Sequence, residues 1–165
     1  SATKDAMLKR IQEITHGKVL YDGKRDEFYL VNGSSKQEFN LVAEGVRKMA
    51  LLWQLVKNGT LENGSILFWN EPESNINPSY ISIIVELLLE LQRKGVQVFV
   101  STHDYMIASY FEVRKAKNDS IAFHSLSHVG KTCDLIYEKK EKFADLKNNA
   151  IVSAFDKLLD EIYDL

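Results

Sequence analysis

The stretch that decides the fold is Ser65–Glu73, with the sequence SILFWNEPE, where four consecutive apolar residues precede an asparagine and two acids that flank a proline. A short, unbroken apolar run between turn signals predicts a strand buried on both faces of a parallel sheet. Ligands of open α/β sheets bind outside the carboxyl ends of the strands, which is where Glu71 would emerge. Glu71 is therefore a candidate to bind a metal ion or a water molecule.

A second apolar run, Val96–Val100, predicts a second buried strand that ends just before His103. Between the two strands, Asn77 and Pro78 are suited to cap and begin a strongly apolar helix. The order strand, helix, strand over residues 65–100 predicts a right-handed βαβ unit with a parallel pair of strands. Neighbouring strand tips would then bring Glu71 and His103 to the same substrate.

The remaining pattern predicts a chain of helices and hairpins without a linker, a repeat or a low-complexity tract. The predicted helices cover residues 5–15, 41–57, 104–111 and 148–163. Residues 18–31 predict a hairpin or two adjacent short strands, and residues 120–137 predict a hairpin. The last helix would pack through an apolar stripe, and Cys133 would be an inert core residue. One domain, residues 1–165, is the expected organisation.

Composition and charge exclude several classes of protein. The net charge of −2 gives no electrostatic argument for a dedicated nucleic-acid binder. One cysteine excludes an internal disulfide framework and fits a reducing cytosol, so a cytoplasmic location is expected. No apolar run approaches 18 residues and the first residues lack an apolar core, so neither a membrane span nor a signal peptide is predicted.

Three motifs, in this order, resemble those of ABC-type P-loop ATPases of the RecF/SMC-like group and their AAA-type relatives (the AAA_15 and AAA_21 ATPases). Residues 42–49 (VAEGVRKM) resemble the signature motif, residues 66–78 resemble the Walker B and D-loop segment, and residues 98–104 (VFVSTHD) resemble the switch-histidine strand. The resemblance extends over residues 38–112. It implies a three-layer α/β lobe with parallel core strands, helices on both faces and a C-terminal β-hairpin plus helix.

The resemblance also implies roles for the residues at the two strand tips. Glu71 matches the glutamate that polarises the attacking water in phosphoryl transfer. His103 matches the histidine that contacts the γ-phosphate. Asn70 stands where the family has an aspartate that supports Mg²⁺ through water; an amide can accept a hydrogen bond from that water but brings no negative charge.

Further roles implied by the resemblance concern a dimer. Gly45, with Ala43 and Glu44 at the helix start, matches the signature that meets the nucleotide of the opposing subunit, where backbone N–H groups suit phosphate. The family's signature serine is replaced by Ala43 or Glu44. Asn77 stands in the D-loop, a segment that couples the two subunits of the dimer. ATP and Mg²⁺ are the implied cofactors, and a homodimer through the nucleotide interface is the implied assembly.

The P-loop motif G-x-x-x-x-G-K-[ST] does not occur in the sequence. Residues 125–132 (SLSHVGKT) come near it, but they follow the Walker B segment, and a hairpin turn explains them better. Residues 17–24 have the wrong spacing. The chain is therefore expected to be the C-terminal lobe of an ATPase domain without its P-loop lobe, and to be weakly active or inactive by itself.

An alternative is a degenerate, non-catalytic ATPase lobe that serves as a dimerisation or partner-docking module. Asn70 favours this alternative, whereas Glu71 and His103 argue against it. Under either hypothesis DNA or a protein remains open as a further partner.

Overall fold

The chain folds into two compact units, Ser1–Ser101 and Thr102–Leu165. The computed structural model describes residues 2–128 and 134–164. The sequence predicts one domain over residues 1–165, and that both units belong to one ATPase domain stays a prediction.

The first unit contains three helices and five strands. They are α1 (Ala2–Thr15), β1 (Lys18–Asp22), β2 (Glu27–Asn32), β3 (Ser35–Glu38), α2 (Glu44–Asn58), β4 (Ile66–Asn70), α3 (Ile81–Arg93) and β5 (Gln97–Ser101). Short 3-10 turns, Phe39–Leu41 and Pro78–Tyr80, precede α2 and α3.

Strands β1, β2 and β3 form an antiparallel sheet in that order. Lys18 is paired with Val31 and Asp22 with Glu27, so of the two predicted possibilities the structure has the hairpin. The sequence does not predict β3, whose four residues are polar and exposed. A strand without an apolar face has no period-two signal, and its partner β2 supplies its register instead.

Helix α2 is amphipathic and ends where its sequence predicts. Its buried side chains include Met49, Leu52, Trp53 and Val56, and it packs along α1. Gly59 follows the last turn with φ 78°, the left-handed conformation that glycine adopts readily at helix ends.

Strands β4 and β5 form the predicted parallel pair, with Ile66 opposite Gln97 and Asn70 opposite Ser101. Helix α3 connects them and contacts β5. Its buried residues, seven in all, are Ile81, Ile84, Val85, Leu87, Leu88, Leu89 and Leu91. The mixed α/β fold with a parallel βαβ unit is therefore confirmed.

The predicted burial of β4 and β5 on both faces is wrong. Ile66 is 54% exposed, Phe68 74% and Phe99 44%, and all three lie on the same face, where the two phenylalanine rings stack 4.8 Å apart. Residues on the opposite face, such as Leu67 and Val98, are half-buried. Side chains alternate along a strand, and among the described residues only one of the two faces is covered.

The described residues of the second unit form two helices and an antiparallel hairpin: α4 (Tyr105–Arg114), β6 (Phe123–His128), β7 (Leu135–Lys140) and α5 (Ala150–Tyr163). The predicted hairpin is confirmed; its turn, residues 129–131, and Cys133 lie outside the described residues. A small core contains Ala108, Phe143 and Leu146.

Helix α5 has the predicted apolar stripe, but the stripe is not deeply packed. Phe155 stacks on Tyr105 with the rings 4.1 Å apart, whereas Leu158 and Ile162 are each about half exposed. No helix within the described part of the chain has the length and apolarity needed to cross a membrane.

Candidate functional site

Glu71 lies directly after β4, at the carboxyl end of the parallel strand pair. Its backbone N–H donates to the carbonyl of Ser101 at 2.8 Å, which continues the hydrogen bonding between β4 and β5 by one residue. Its φ is 46°, in the left-handed region, and its side chain is half-buried. This conformation costs a non-glycine residue about 1 kcal/mol, so surrounding contacts have to stabilise it.

The carbonyl group of Glu71 has two such contacts. It accepts hydrogen bonds from the Ser74 N–H at 3.1 Å and from Nζ of Lys48 at 3.3 Å. Together with the bond to Ser101, they fix the backbone of Glu71 on both sides of its α-carbon. The carboxylate therefore projects from a well-defined position at the strand tip.

Asn70 links the two strands across the sheet. Its Oδ1 accepts a hydrogen bond of 2.6 Å from the Ser101 hydroxyl. An amide oxygen has two lone pairs, so it can accept one more hydrogen bond, for example from a water molecule bound to a metal ion. No group of three or more His, Cys, Asp or Glu side chains suited to direct metal binding occurs among the described residues. The predicted water-mediated support of Mg²⁺ by Asn70 stays a prediction.

Gly45 lies in the first turn of α2, buried against the loop that follows Glu71. A Cβ at Gly45 would overlap the carbonyl oxygen of Asn75, and would lie 2.7 Å from the carbonyl carbon of Asn75 and 2.8 Å from Cγ1 of Ile76. Contacts this short require the absence of a side chain. The structure therefore gives a packing reason for this glycine, and its predicted contact with nucleotide stays a prediction.

Ala43 and Glu44 are exposed at the start of α2. Ala43 occupies the N-cap position, and the helix start has no side-chain cap. The carboxylate of Glu44 accepts a hydrogen bond of 3.0 Å from Nδ2 of Asn75, and it lies 4.0 Å from Nζ of Lys48. Glu44 is thus tied to the loop after Glu71, in the same unit of the chain.

Asn77 acts as a cap at the start of the turn that leads into α3. Its Oδ1 accepts hydrogen bonds from the backbone N–H of Ser79 at 3.0 Å and from the Ser79 hydroxyl at 2.9 Å. The capping role of Asn77 predicted from the sequence is confirmed. Its role in the D-loop stays a prediction.

His103 lies in the turn between β5 and α4, and its side chain is exposed. Thr102 Oγ1 accepts from the Asp104 N–H at 3.0 Å, and Asp104 Oδ1 caps α4 by accepting from the Ile107 N–H at 2.9 Å. Glu71 belongs to the first compact unit and His103 to the second. Their action on one substrate stays a prediction.

Three residues near Glu71 are absent from the predicted site: Lys48, Asn75 and Ser101. Lys48 contacts Glu71, Asn75 contacts Glu44 and Ser101 contacts Asn70. These partners are far apart in the sequence, so no local sequence pattern predicts the contacts. Weak signals exist for two of them. Lys48 follows Glu44 by four residues, the spacing of an ion pair on a helix, and asparagine is a residue type that tolerates the left-handed φ of 62° found at Asn75.

A family model matches residues 7–109, which include Glu71, His103 and all three motifs. The family is AAA_21, described as "AAA domain, putative AbiEii toxin, Type IV TA system". The match covers more than half of the chain, and the chain belongs to this family. Together with the curated relative and the solved structures described next, this match confirms the predicted resemblance to ABC-type, RecF/SMC-like P-loop ATPases.

A curated relative adds a link to ABC proteins. Over 49 residues the chain is 39% identical to the energy-coupling factor transporter ATP-binding protein EcfA of Methanothermobacter thermautotrophicus. The match covers 30% of this chain and 16% of the relative, so the chain spans about a sixth of that protein's length.

Two solved structures share the fold. One, from a study of ATP-driven dimerization and DNA-stimulated activation of SMC ATPases, has a TM-score of 0.53 at 11% identity and covers 98% of this chain and 94% of its own. The other is the Smc head domain of Pyrococcus furiosus bound to the C-terminal domain of ScpA. Its TM-score is 0.52 at 10% identity, over 96% of this chain and 38% of that one. At these identities the likeness shows the fold alone.

Proposed function

We propose that the chain is the ATP-hydrolysing lobe of an ABC/RecF-like ATPase, in which Glu71 orients the attacking water. Membership in an ATPase-type P-loop family supports the class. The observation that carries the role is the position of Glu71 at the carboxyl tip of β4, with its backbone hydrogen-bonded to Ser101, Ser74 and Lys48. A carboxylate held in this way can accept a proton from water and align the water oxygen for attack.

Two further residues of the predicted site, His103 and Asn70, would assist the same reaction. His103 would donate a hydrogen bond to the γ-phosphate of ATP from the turn after β5. Asn70 would accept a hydrogen bond from a water of the Mg²⁺ shell through the lone pair that Ser101 leaves available. When bound, Mg²⁺ would neutralise negative charge on the phosphate groups.

The helix start at Ala43, Glu44 and Gly45, together with Asn77, is proposed to face the nucleotide of a second protomer. Support comes from the SMC ATPase structure that shares the fold, which is described as dimerising in an ATP-driven manner. That protein is also described as activated by DNA, and the Smc head of Pyrococcus furiosus is bound to part of ScpA. These descriptions are the ground for proposing DNA or a protein as a further partner. Cytoplasmic localisation stays a prediction from the sequence.

The loop that grips the phosphates is proposed to come from a segment outside these 165 residues, since the sequence holds no P-loop motif. The apolar side chains exposed on β4 and β5 support this proposal, because another segment could cover them. The chain would then supply half of an active site.

The test is ATP hydrolysis by two proteins, the 165-residue chain and the full-length product of its gene. We expect little or no turnover by the chain alone. For the full-length protein we expect Glu71→Gln to lower kcat by about 100-fold or more, the usual range for loss of a general base. Glu13→Gln, the same change at an exposed position of α1, is the matched control and should leave kcat unchanged.

Two results would contradict the proposal. Full-length turnover that is insensitive to Glu71→Gln would remove the role of Glu71. Turnover by the 165-residue chain that Glu71→Gln abolishes would show instead that the missing loop is not needed.

A non-catalytic lobe is the second candidate, and the contact between Asn70 and Ser101 favours it. An amide that is already hydrogen-bonded in place of a charged aspartate gives weaker support to Mg²⁺. Under this alternative the full-length protein would dimerise with ATP but not hydrolyse it, and Asn70→Asp would raise turnover. Turnover by the unmodified protein that depends on Mg²⁺ would exclude the alternative.

A further inference from the structure

We propose that Lys48 is a positioning residue, which holds the backbone of Glu71 from helix α2. The proposal deepens the proposed function and rests on it wherever catalysis is concerned. Lys48 would not touch the substrate. It would act by fixing the peptide group from which the carboxylate of Glu71 projects.

The first observation is the contact itself. Nζ of Lys48 donates to the carbonyl oxygen of Glu71 at 3.3 Å, and the Lys48 side chain is 25% exposed. A hydrogen bond from a charged donor is about twice as strong as a neutral one, and partial burial limits competition from water. The carboxylate of Glu44, one turn earlier on α2, lies 4.0 Å from the same ammonium and favours its orientation toward the loop.

The second observation is the conformation that this contact supports. With φ at 46°, Glu71 turns the chain out of the β4–β5 ladder immediately after its N–H has bonded to Ser101. A left-handed non-glycine residue persists where its surroundings determine it strongly. At Glu71, the hydrogen bonds from Lys48 and from the Ser74 N–H to the carbonyl oxygen stabilise this conformation.

The third observation is that α2 contacts the same loop at two further points. Gly45 packs without a side chain against the backbone of Asn75, and Glu44 accepts a hydrogen bond from the Asn75 side chain. The first two turns of α2 are therefore fixed to the loop at Asn75 and at Glu71. A displacement of α2 would be transmitted to Glu71 through Lys48.

Activation of a water molecule requires the carboxylate of Glu71 to be positioned precisely. A misplacement of about 1 Å at a reacting group can lower the rate about 100-fold. Loss of the Lys48 contact would free the Glu71 peptide to rotate and move the carboxylate by such a distance. Binding of ATP, which other residues provide, would be little affected.

The structural arm of the test is amide hydrogen exchange in the 165-residue chain. In Lys48→Met, the amides of Glu71 and Ser74 should exchange about tenfold faster, because their local opening becomes easier. Lys48→Arg, which keeps a charged donor, should restore most of the protection. The matched control is Lys57→Met, the same change on the same helix at a lysine whose ammonium lies over the Trp53 ring; it should leave both amides unchanged.

The catalytic arm uses the full-length protein. Lys48→Met should lower kcat about 10- to 100-fold and leave KM for ATP within about twofold, as expected for lost alignment without lost binding. In a Glu71→Gln background, Lys48→Met should cause no further loss. Lys48→Gln, which has a shorter side chain and no charged donor, serves as a second variant if Lys48→Met fails to fold.

The outcomes separate this inference from the proposed function. Unchanged exchange at Glu71 and Ser74 in both Lys48→Met and Lys48→Gln would overturn the inference, whatever the turnover. Faster exchange with unchanged kcat, in a protein that Glu71→Gln inactivates, would also overturn it. If Glu71→Gln itself has no effect, the proposed function fails, and the exchange rates alone decide whether Lys48 holds the backbone.

Discussion

Helix α3 and strand β4 are both rich in apolar residues, yet they differ in how deeply those residues are buried. Seven of the thirteen residues of α3 are buried, and Leu88 is 1% exposed. In β4, which directly precedes the loop into α3, Phe68 is 74% exposed. The apolar composition of a segment indicates that its burial is favourable, but it does not indicate which other element packs against it.

The cover of α3 can be identified from contacts within the first unit. The helix contacts β5, and Arg10 of α1 bonds to Glu90 at 2.7 Å and lies 3.5 Å from Glu86. No described element covers the face of β4 that carries Phe68. The difference in burial between the two segments therefore reflects which elements pack against them. Mutations can test how large the corresponding difference in stability is.

Leu88→Ala should give the largest loss of stability, about 2–5 kcal/mol, because it removes a fully buried side chain and leaves a cavity. Urea denaturation followed by tryptophan fluorescence is suited to this measurement, since Trp53 and Trp69 both lie in the first unit.

Leu41→Ala is the matched control for Leu88→Ala, at a leucine that is 70% exposed. It should change the free energy of unfolding by no more than about 0.5 kcal/mol. Equal losses at Leu88 and Leu41 would contradict the contrast in burial.

Much of the fold could be predicted from the sequence because its signals are local. The period of the apolar residues locates α2 and α3, Gly59 ends α2 as predicted, and the strand–helix–strand order gives the parallel pair. Strand β3 could not be predicted because its residues are exposed and polar. The open face of β4 could not be predicted either, since a buried and an exposed apolar strand have the same composition.

The candidate site divides in the same way. Glu71 could be located because strand-end position and motif are sequence properties. Its contacts with Lys48 and Ser101 could not, because they join residues 23 and 30 positions away along the chain, which only the packing of α2 and the register of β5 bring close. The left-handed φ of Glu71 could not be predicted either, since glutamate is not a residue type typical of turns.

Asn77→Ala tests the start of α3 and should have an intermediate effect. It removes the acceptor that bonds to the backbone N–H of Ser79, and loss of such a cap costs about 1 kcal/mol. Asn77→Asp keeps an acceptor oxygen, so its free energy of unfolding should stay within a few tenths of a kcal/mol of the unmodified chain. A loss of the same size in both variants would show that capping is not what Asn77 contributes to stability.

Phe68→Thr should have the smallest effect, about 0.5 kcal/mol or less, because threonine suits a strand and little buried surface is lost. Most of this effect should come from the lost stacking on the ring of Phe99, since an exposed aromatic pair contributes at the low end of about 0.5–1.5 kcal/mol. Val98→Thr, on the covered face of β5, is the control and should cost about 1 kcal/mol or more, because its hydroxyl enters a half-buried apolar site. A loss at Phe68 as large as that at Leu88 would mean that the face is covered in solution. Sedimentation at two protein concentrations would then show whether a second copy of the chain provides the cover.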